Sequence, residues 1–222
     1  LTQGALRSLL ITGAGGMGKT SLAGKLALDV QKARGDGLFA WSADSEKSWR
    51  DFELEMGQTL DKPRVERYDK FLPTAENEVA RAKFMLDLLV EQFNGRVILF
   101  FDNLETLQDA DSLAVKDATV TAWMQAASHA QDVTLLATSR WQIPDWDGEH
   151  LMLARANYGD FLQIAAMKNL PIKREQMRRV YDALGGNIRG LEFFAAAAQV
   201  MDDENAEEAF LQTLEQTKSD LQ

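Results

Sequence analysis

The chain has 222 residues, 45% of them hydrophobic, enough to bury a substantial core in one large domain or one domain with a small appendage. Its formal charge is −10, from 24 basic and 34 acidic residues, which argues against a dedicated nucleic-acid surface. It has no cysteine, so disulfides and thiolate metal sites are excluded, and the two isolated histidines, His129 and His150, make no zinc motif. They read as helix-end or strand-edge residues.

"LRSLLIT" (residues 6–12) is a short apolar run that stops at glycine, as a buried parallel strand does. Residues 20–32 read as a helix with Leu22, Leu26 and Val30 on its inner face, ended by Gly35 and Gly37. "LFAWS" (38–42) is a second strand. Polar, charged segments follow, broken at Pro63 and Pro73, and then a helix over about 75–93 with Val79, Phe84, Leu88 and Leu89 toward a core. After Asn94 and Gly95 comes "RVILFFDN", the most hydrophobic strand. A helix over about 112–130 leads to a fourth strand, "VTLLATSR". Pro144 and Gly148 bracket a loop before a short fifth run, "HLMLA". Strands alternating with helices, with such continuous apolar cores, predict a five-stranded, mainly parallel α/β sheet flanked by helices.

Beyond Arg155 helical periodicity dominates, in segments 158–169, 173–184, 187–201 and 205 onward, separated at Pro171 and the Gly185-Gly186 pair. The expected organisation is therefore an α/β domain over 1–155 and a small helical domain over 156–222. The densest basic stretch, "KREQMRR" (173–179), reads as a solvated helix face. No apolar run approaches the ~20 residues of a membrane helix, and no signal peptide is visible, so the cytoplasm is the expected compartment and no membrane partner is expected. The chain opens only a few residues before a strand, and reads as a piece of something longer.

The first strand runs into "ITGAGGMGKTSL", which satisfies two phosphate-binding patterns at once. Gly13, Gly15 and Gly18 fit G-x-G-x-x-G of dinucleotide enzymes, with Asp44 available for a ribose. Gly13 and Gly18 with Lys19 and Thr20 fit G-x-x-x-x-G-K-[ST], the P-loop. A lysine at a helix start is disfavoured by the helix dipole unless an anion is present. Lys19 makes sense if it reaches the outer phosphates of a nucleotide, and Thr20 is the hydroxyl that P-loops place on Mg²⁺.

A magnesium nucleotide also needs an acid at the end of a neighbouring buried strand. "VILFFD" supplies Asp102, a carboxylate that is costly there unless a cation or hydrogen bonds compensate. Glu105, three residues on, could face the same cleft as a water-polarising base, or simply end a solvated turn. Arg140 follows the fourth strand, where its guanidinium could sense a γ-phosphate. In the helical region, "GGNIRGLEFF" opens an apolar helix at Gly186 and Asn187, with Arg189 in its first turn.

This ordered set resembles the STAND branch of AAA+-related ATPases, which includes NB-ARC and NACHT modules. The resemblance covers nearly the whole chain, with the P-loop its one individually specific motif. It implies a P-loop NTPase fold with a helical lid. It assigns Gly13, Ala14, Gly15, Gly16, Met17, Gly18, Lys19, Thr20 and Ser21 to the phosphates, Thr20 and Asp102 to Mg²⁺, Glu105 to water activation and Arg140 to the γ-phosphate. The Gly-x-Pro proline of the family is Ile188 here, and residues 186–189 instead resemble the second sensor motif G-[DN]-x-R, which places Ile188 and Arg189 at the nucleotide. Asn103 stands where many AAA+ motors carry a catalytic glutamate, so slow turnover is expected. The implied activity is a slow ATPase switch: ADP holds a resting form, and ATP favours one that assembles with other copies, within a longer signalling protein. The absence of an N-K-x-D guanine motif favours ATP over GTP. Two other readings stay open, a NAD-dependent oxidoreductase using Asp44 and a non-hydrolysing nucleotide-bound scaffold. A DNA-handling ATPase is disfavoured by the charge.

Overall fold

The computed structural model describes residues 7–93, 95–170, 172–200 and 204–220. Leu6, Asn94, Pro171 and Met201, used above to place boundaries, lie outside the described residues. The described residues form two units. One runs through Gly13 and includes Lys19–Met152; the other comprises Ala14–Gly18 and Leu153–Gln222.

The first unit is built on five parallel strands: β1 (Ser8–Thr12), β2 (Gly37–Ser42), β3 (Val97–Asp102), β4 (Val133–Ser139) and β5 (Glu149–Met152), in the order β2-β3-β4-β1-β5. β1 and β3 are buried at every residue, and β4 at all but Thr134, which is why their sequences read as unbroken apolar runs rather than alternating ones. β5 differs: all four of its residues are exposed, Met152 at 71%. The expectation of a buried fifth strand is corrected here, because β5 sits at the sheet edge with β1 as its one partner in the sheet.

Helix α1 (Lys19–Arg34) packs on the sheet through Lys19, Ala23 and Ala27. Leu22, expected on that face, is exposed, and Leu26 and Val30 are half-buried. Small alanines let the helix approach the strands closely, and the larger side chains flank the contact.

The segment between β2 and the long helix contains two helices that the proline breaks concealed. α2 (Trp49–Gln58) is capped by Ser48, whose Oγ accepts from the Asp51 amide at 3.2 Å. Its buried residues, Trp49, Phe52 and Met56, fall at helical spacing. α3 (Lys62–Phe71) starts at the cap Asp61 with Pro63 in its first turn, where a missing N–H costs nothing. Pro63 therefore begins a helix rather than breaking one. α4 (Glu78–Gln92), capped by Asn77, buries Ala82, Met85, Leu86, Leu88 and Leu89. Val79 and Phe84 are half-buried against the same core.

α5 (Ala118–His129) is shorter than expected, because Asp117 caps it by accepting from the amides of Thr119 and Val120. The preceding residues are held otherwise, by an antiparallel bridge between Gln108 and Val115. The core between sheet and helices is strongly aromatic: the Trp49 ring lies 4.9 to 5.6 Å from those of Trp41, Phe52, Phe101 and Trp123, all edge to face.

The second unit contains α6 (Tyr158–Met167), α7 (Met177–Leu184), α8 (Ile188–Val200) and α9 (Glu204–Asp220). Phe161, Met177, Val180, Leu191, Phe194 and Leu211 form its core. The basic stretch before and within α7 is locally neutralised. Arg179 bridges Glu208 and Glu215 of α9 at 2.9 Å, and Arg178 pairs with Asp182 at 3.2 Å. Among the described residues no helix is long and apolar enough to cross a membrane.

Candidate nucleotide site

Parallel strands bring their carboxyl ends to one edge of the sheet. Register places Ser42 of β2 opposite Asp102 of β3, and Thr12 of β1 opposite Ser139 of β4. In open α/β sheets that edge is where ligands bind.

β1 leads into the glycine-rich loop and then directly into α1 at Lys19. Gly16 has φ +76° and Gly18 φ +86°, a backbone region that side-chain-bearing residues rarely adopt. A Cβ on Gly16 would also stand 2.7 Å from Asn187 Oδ1 and 2.8 Å from Arg189 Cβ, so the position has no room for one. Both neighbours lie in the same unit as residues 14–18. There Asn187 Nδ2 donates to Gly15 O (2.9 Å), the Arg189 amide donates to Gly16 O (3.3 Å), and Asn187 Oδ1 caps α8 by accepting from Gly190 N (2.9 Å).

Lys19 is 6% exposed, and its Nζ donates to Gly13 O at 3.0 Å. Burial pulls its pKa below the ordinary lysine value. Glu105 and Asp102 oppose that shift, and Arg140 adds to it. All three charges thus lie within electrostatic reach of this ammonium. Next along, Thr20 Oγ1 donates to both oxygens of Asp102, at 2.9 and 3.1 Å. Asp102 is 7% exposed and also accepts from Thr138 Oγ1, whose oxygen in turn accepts from the Asn103 amide at 3.0 Å. A buried carboxylate with two hydroxyl donors is well satisfied.

Beyond Asp102 the chain turns sharply. Asn103 takes a left-handed conformation (φ 58°), and residues Leu104–Thr106 form a 3₁₀ turn carrying Glu105. Glu105 Oε1 accepts from Arg140 Nε at 3.2 Å, and its Oε2 is buried with no hydrogen-bond partner. Asn103 Nδ2 donates to Asp44 Oδ2 (2.9 Å) and Ser42 Oγ (3.4 Å), while Ser42 Oγ donates to Asp44 Oδ1 (2.5 Å). The Ser42 and Asn103 hydrogen bonds hold the Asp44 carboxyl below its usual range.

Lys19, Thr20, Asp102, Glu105 and Arg140, predicted separately, are thus drawn together by the Thr20–Asp102 and Glu105–Arg140 bonds and by the charges that act on Lys19. Ser21 and Ala14 are exposed, and Met17 is half-buried. Ile188 packs against the core of the second unit, and the Arg189 guanidinium lies over the Phe193 ring at 5.6 Å. Sequence reasoning missed Thr138 and the Asn103–Asp44 pair. The one available signal for Thr138 was its place beside Ser139 and Arg140 at a strand end. It also gave no hint that Thr12, ending β1, shares a 2.7 Å hydrogen bond with His150 Nε2.

Magnesium typically takes one or two carboxylates, substrate phosphates and water rather than an all-protein cage. The donor set fits that habit. Thr20 and Asp102 present a hydroxyl and a carboxylate together.

Strand order decides the double motif. A dinucleotide site of the G-x-G-x-x-G kind needs the acid of β2 beside β1. Here β4 and β3 stand between them, and β1 is flanked by β4 and β5. Asp44 is bound to Asn103 instead.

The same architecture recurs in solved structures. A Signal Transduction ATPase with Numerous Domains (STAND) protein with a tetratricopeptide repeat sensor from Pyrococcus horikoshii matches 95% of this chain with a TM-score of 0.56 and 14% identity; the chain spans 30% of that protein's length. Domain III of the Thermotoga maritima replication initiation protein DnaA matches 95% of the chain and 85% of its own length, with a TM-score of 0.56 and 13% identity. A Walker-type ATPase of Pyrococcus abyssi matches 97% of the chain and 71% of its own length, with a TM-score of 0.53 and 14% identity. No protein-family model and no curated protein matches the chain. The fold is that of the P-loop nucleoside triphosphatases.

Proposed function

We propose that this chain is an ATP-binding, slowly hydrolysing switch module of a larger signalling protein, of the STAND kind. The observation that carries the reading is the contact of Thr20 Oγ1 with both oxygens of buried Asp102, one residue after buried Lys19. This is a hydroxyl–carboxylate pair suited to a magnesium ion beside a lysine suited to phosphate. Thr20 and Asp102 would hold Mg²⁺, which neutralises charge on the outer phosphates. Backbone amides of residues 13–18 and the Lys19 ammonium would bind those phosphates. Arg140 would meet the γ-phosphate, and Glu105 would polarise the attacking water.

Asn103 supports slow turnover. An amide cannot act as a base, and its nitrogen is already committed to Asp44 and Ser42. A nucleotide shifts a conformational equilibrium only by its difference in affinity for the two states, and contacts at Lys19 and Arg140 are where ATP and ADP would differ. Arg189 as a second sensor, self-association in the ATP state, other domains of a longer chain as partners and a cytoplasmic location belong to the same proposal. The test is calorimetric titration with Mg²⁺·ATP and Mg²⁺·ADP, alongside single-turnover hydrolysis. Lys19→Ala and Arg140→Ala should impair binding or turnover. If both variants bind and hydrolyse as the parent does, the reading fails.

A further inference from the structure

Glu105 and Arg140 are unequal partners. The Glu105 side chain is 11% exposed and follows fully buried Leu104 in its turn, so the acid is held in place. The Arg140 side chain is 55% exposed, on the solvent side of the pair. Their bond is one-pronged, through Nε at 3.2 Å, whereas Arg67 grips Glu91 with two nitrogens at 2.5 and 3.1 Å. Glu105 also keeps a buried oxygen, Oε2, without a partner, a strong acceptor with capacity to spare. Both charges act on Lys19, so the pair lies within reach of the phosphate-binding lysine.

An anion that takes Arg140 must take it from Glu105, and in doing so leaves a buried carboxylate without its cation. We propose that Glu105 is an internal rival of the γ-phosphate for Arg140, and that this rivalry sets the site's preference between nucleoside diphosphate and triphosphate. The inference rests on the nucleotide reading above and adds a role for Glu105 in binding, separate from any role in hydrolysis. A diphosphate leaves the Glu105–Arg140 pair intact. A triphosphate breaks it and brings its terminal phosphate toward a second anion. Glu105 therefore weakens ATP relative to ADP, and the carboxylate is released for chemistry only when Arg140 has been drawn away.

The test uses this chain stripped of nucleotide, titrated calorimetrically with Mg²⁺·ADP and with a non-hydrolysable Mg²⁺·ATP analogue. Glu105→Gln keeps the shape and removes the charge. It should tighten the triphosphate relative to the diphosphate by about fivefold, the scale of a partly exposed ion pair. Arg140→Gln, which removes the pair from its exposed side, should lower the same ratio, and adding Glu105→Gln to it should produce a smaller gain than in the parent. An unchanged or lowered ratio in Glu105→Gln overturns the inference while leaving the nucleotide reading standing. Failure of the folded parent to bind either nucleotide overturns both. Should Glu105→Gln not fold, Glu105→Ser, which also removes the charge, takes its place with the same expected rise in ratio and the same overturning result.

Discussion

Two carboxylates three residues apart have opposite surroundings. Asp102 ends a fully buried strand and accepts from the hydroxyls of Thr20 and Thr138. Glu105 lies on the turn beyond, holding a half-exposed arginine by one nitrogen and keeping one oxygen without a partner. The first is a fixed point, its lone pairs met by neutral groups a metal could displace without stranding a charge. The second holds its cation through a single, partly exposed contact. Under the proposed function, a site that binds a nucleotide and distinguishes diphosphate from triphosphate would use both kinds of acid.

Substitutions at the two positions should separate these roles, and the largest effect belongs to the fixed one. Asp102→Ala leaves the buried Thr138 hydroxyl without its acceptor, and should destabilise the fold by about 1–3 kcal/mol in urea unfolding. It should also abolish the magnesium dependence of nucleotide binding. Lys19→Ala follows: hydrogen bonds to charged groups contribute about 1.5–3 kcal/mol, so affinity for ATP should fall roughly 10- to 100-fold in calorimetry. Glu105→Gln removes only a partly exposed pair, and should change stability by less than about 1 kcal/mol. A loss as large as that of Asp102→Ala would mean that the two carboxylates are equivalent.

The smallest effect is a pH dependence. Burial lowers the Lys19 pKa, so between its folded value and the ordinary value of about 10.4 the unfolded chain binds more protons than the folded one. Stability from this group therefore rises with pH across that window. Lys19→Met should flatten the rise, seen by following urea midpoints through the alkaline range up to that ordinary value. A wild-type slope that survives the substitution would assign it elsewhere.

The sheet was legible because β1, β3 and β4 are buried nearly throughout and so read as continuous apolar runs. The site's members were legible for a related reason: a charge at the end of such a run, as with Asp102 and Arg140, needs a partner. The pairings were not, because they depend on register across strands. Nothing near Asp102 in the chain announces Thr138, which reaches it because Phe101 lies opposite Ala137. α2 was missed although Trp49, Phe52 and Met56 keep helical spacing, because the charged residues between them mask the apolar stripe. β5 misled in the other direction: "HLML" has the composition of a core strand, and exposure at an edge is a property of the sheet rather than of the segment.

The central claim is that the loop before Lys19 binds a magnesium nucleotide, and thermal unfolding with ligand tests it most directly. At ~100 times its dissociation constant a ligand specific for the folded state adds about 2.7 kcal/mol. A clear upward shift is expected with Mg²⁺·ATP or Mg²⁺·ADP, none with NAD, and one cut to about half or less for Lys19→Ala at the same concentrations. A shift with NAD alone, or one that survives Lys19→Ala undiminished, would contradict it.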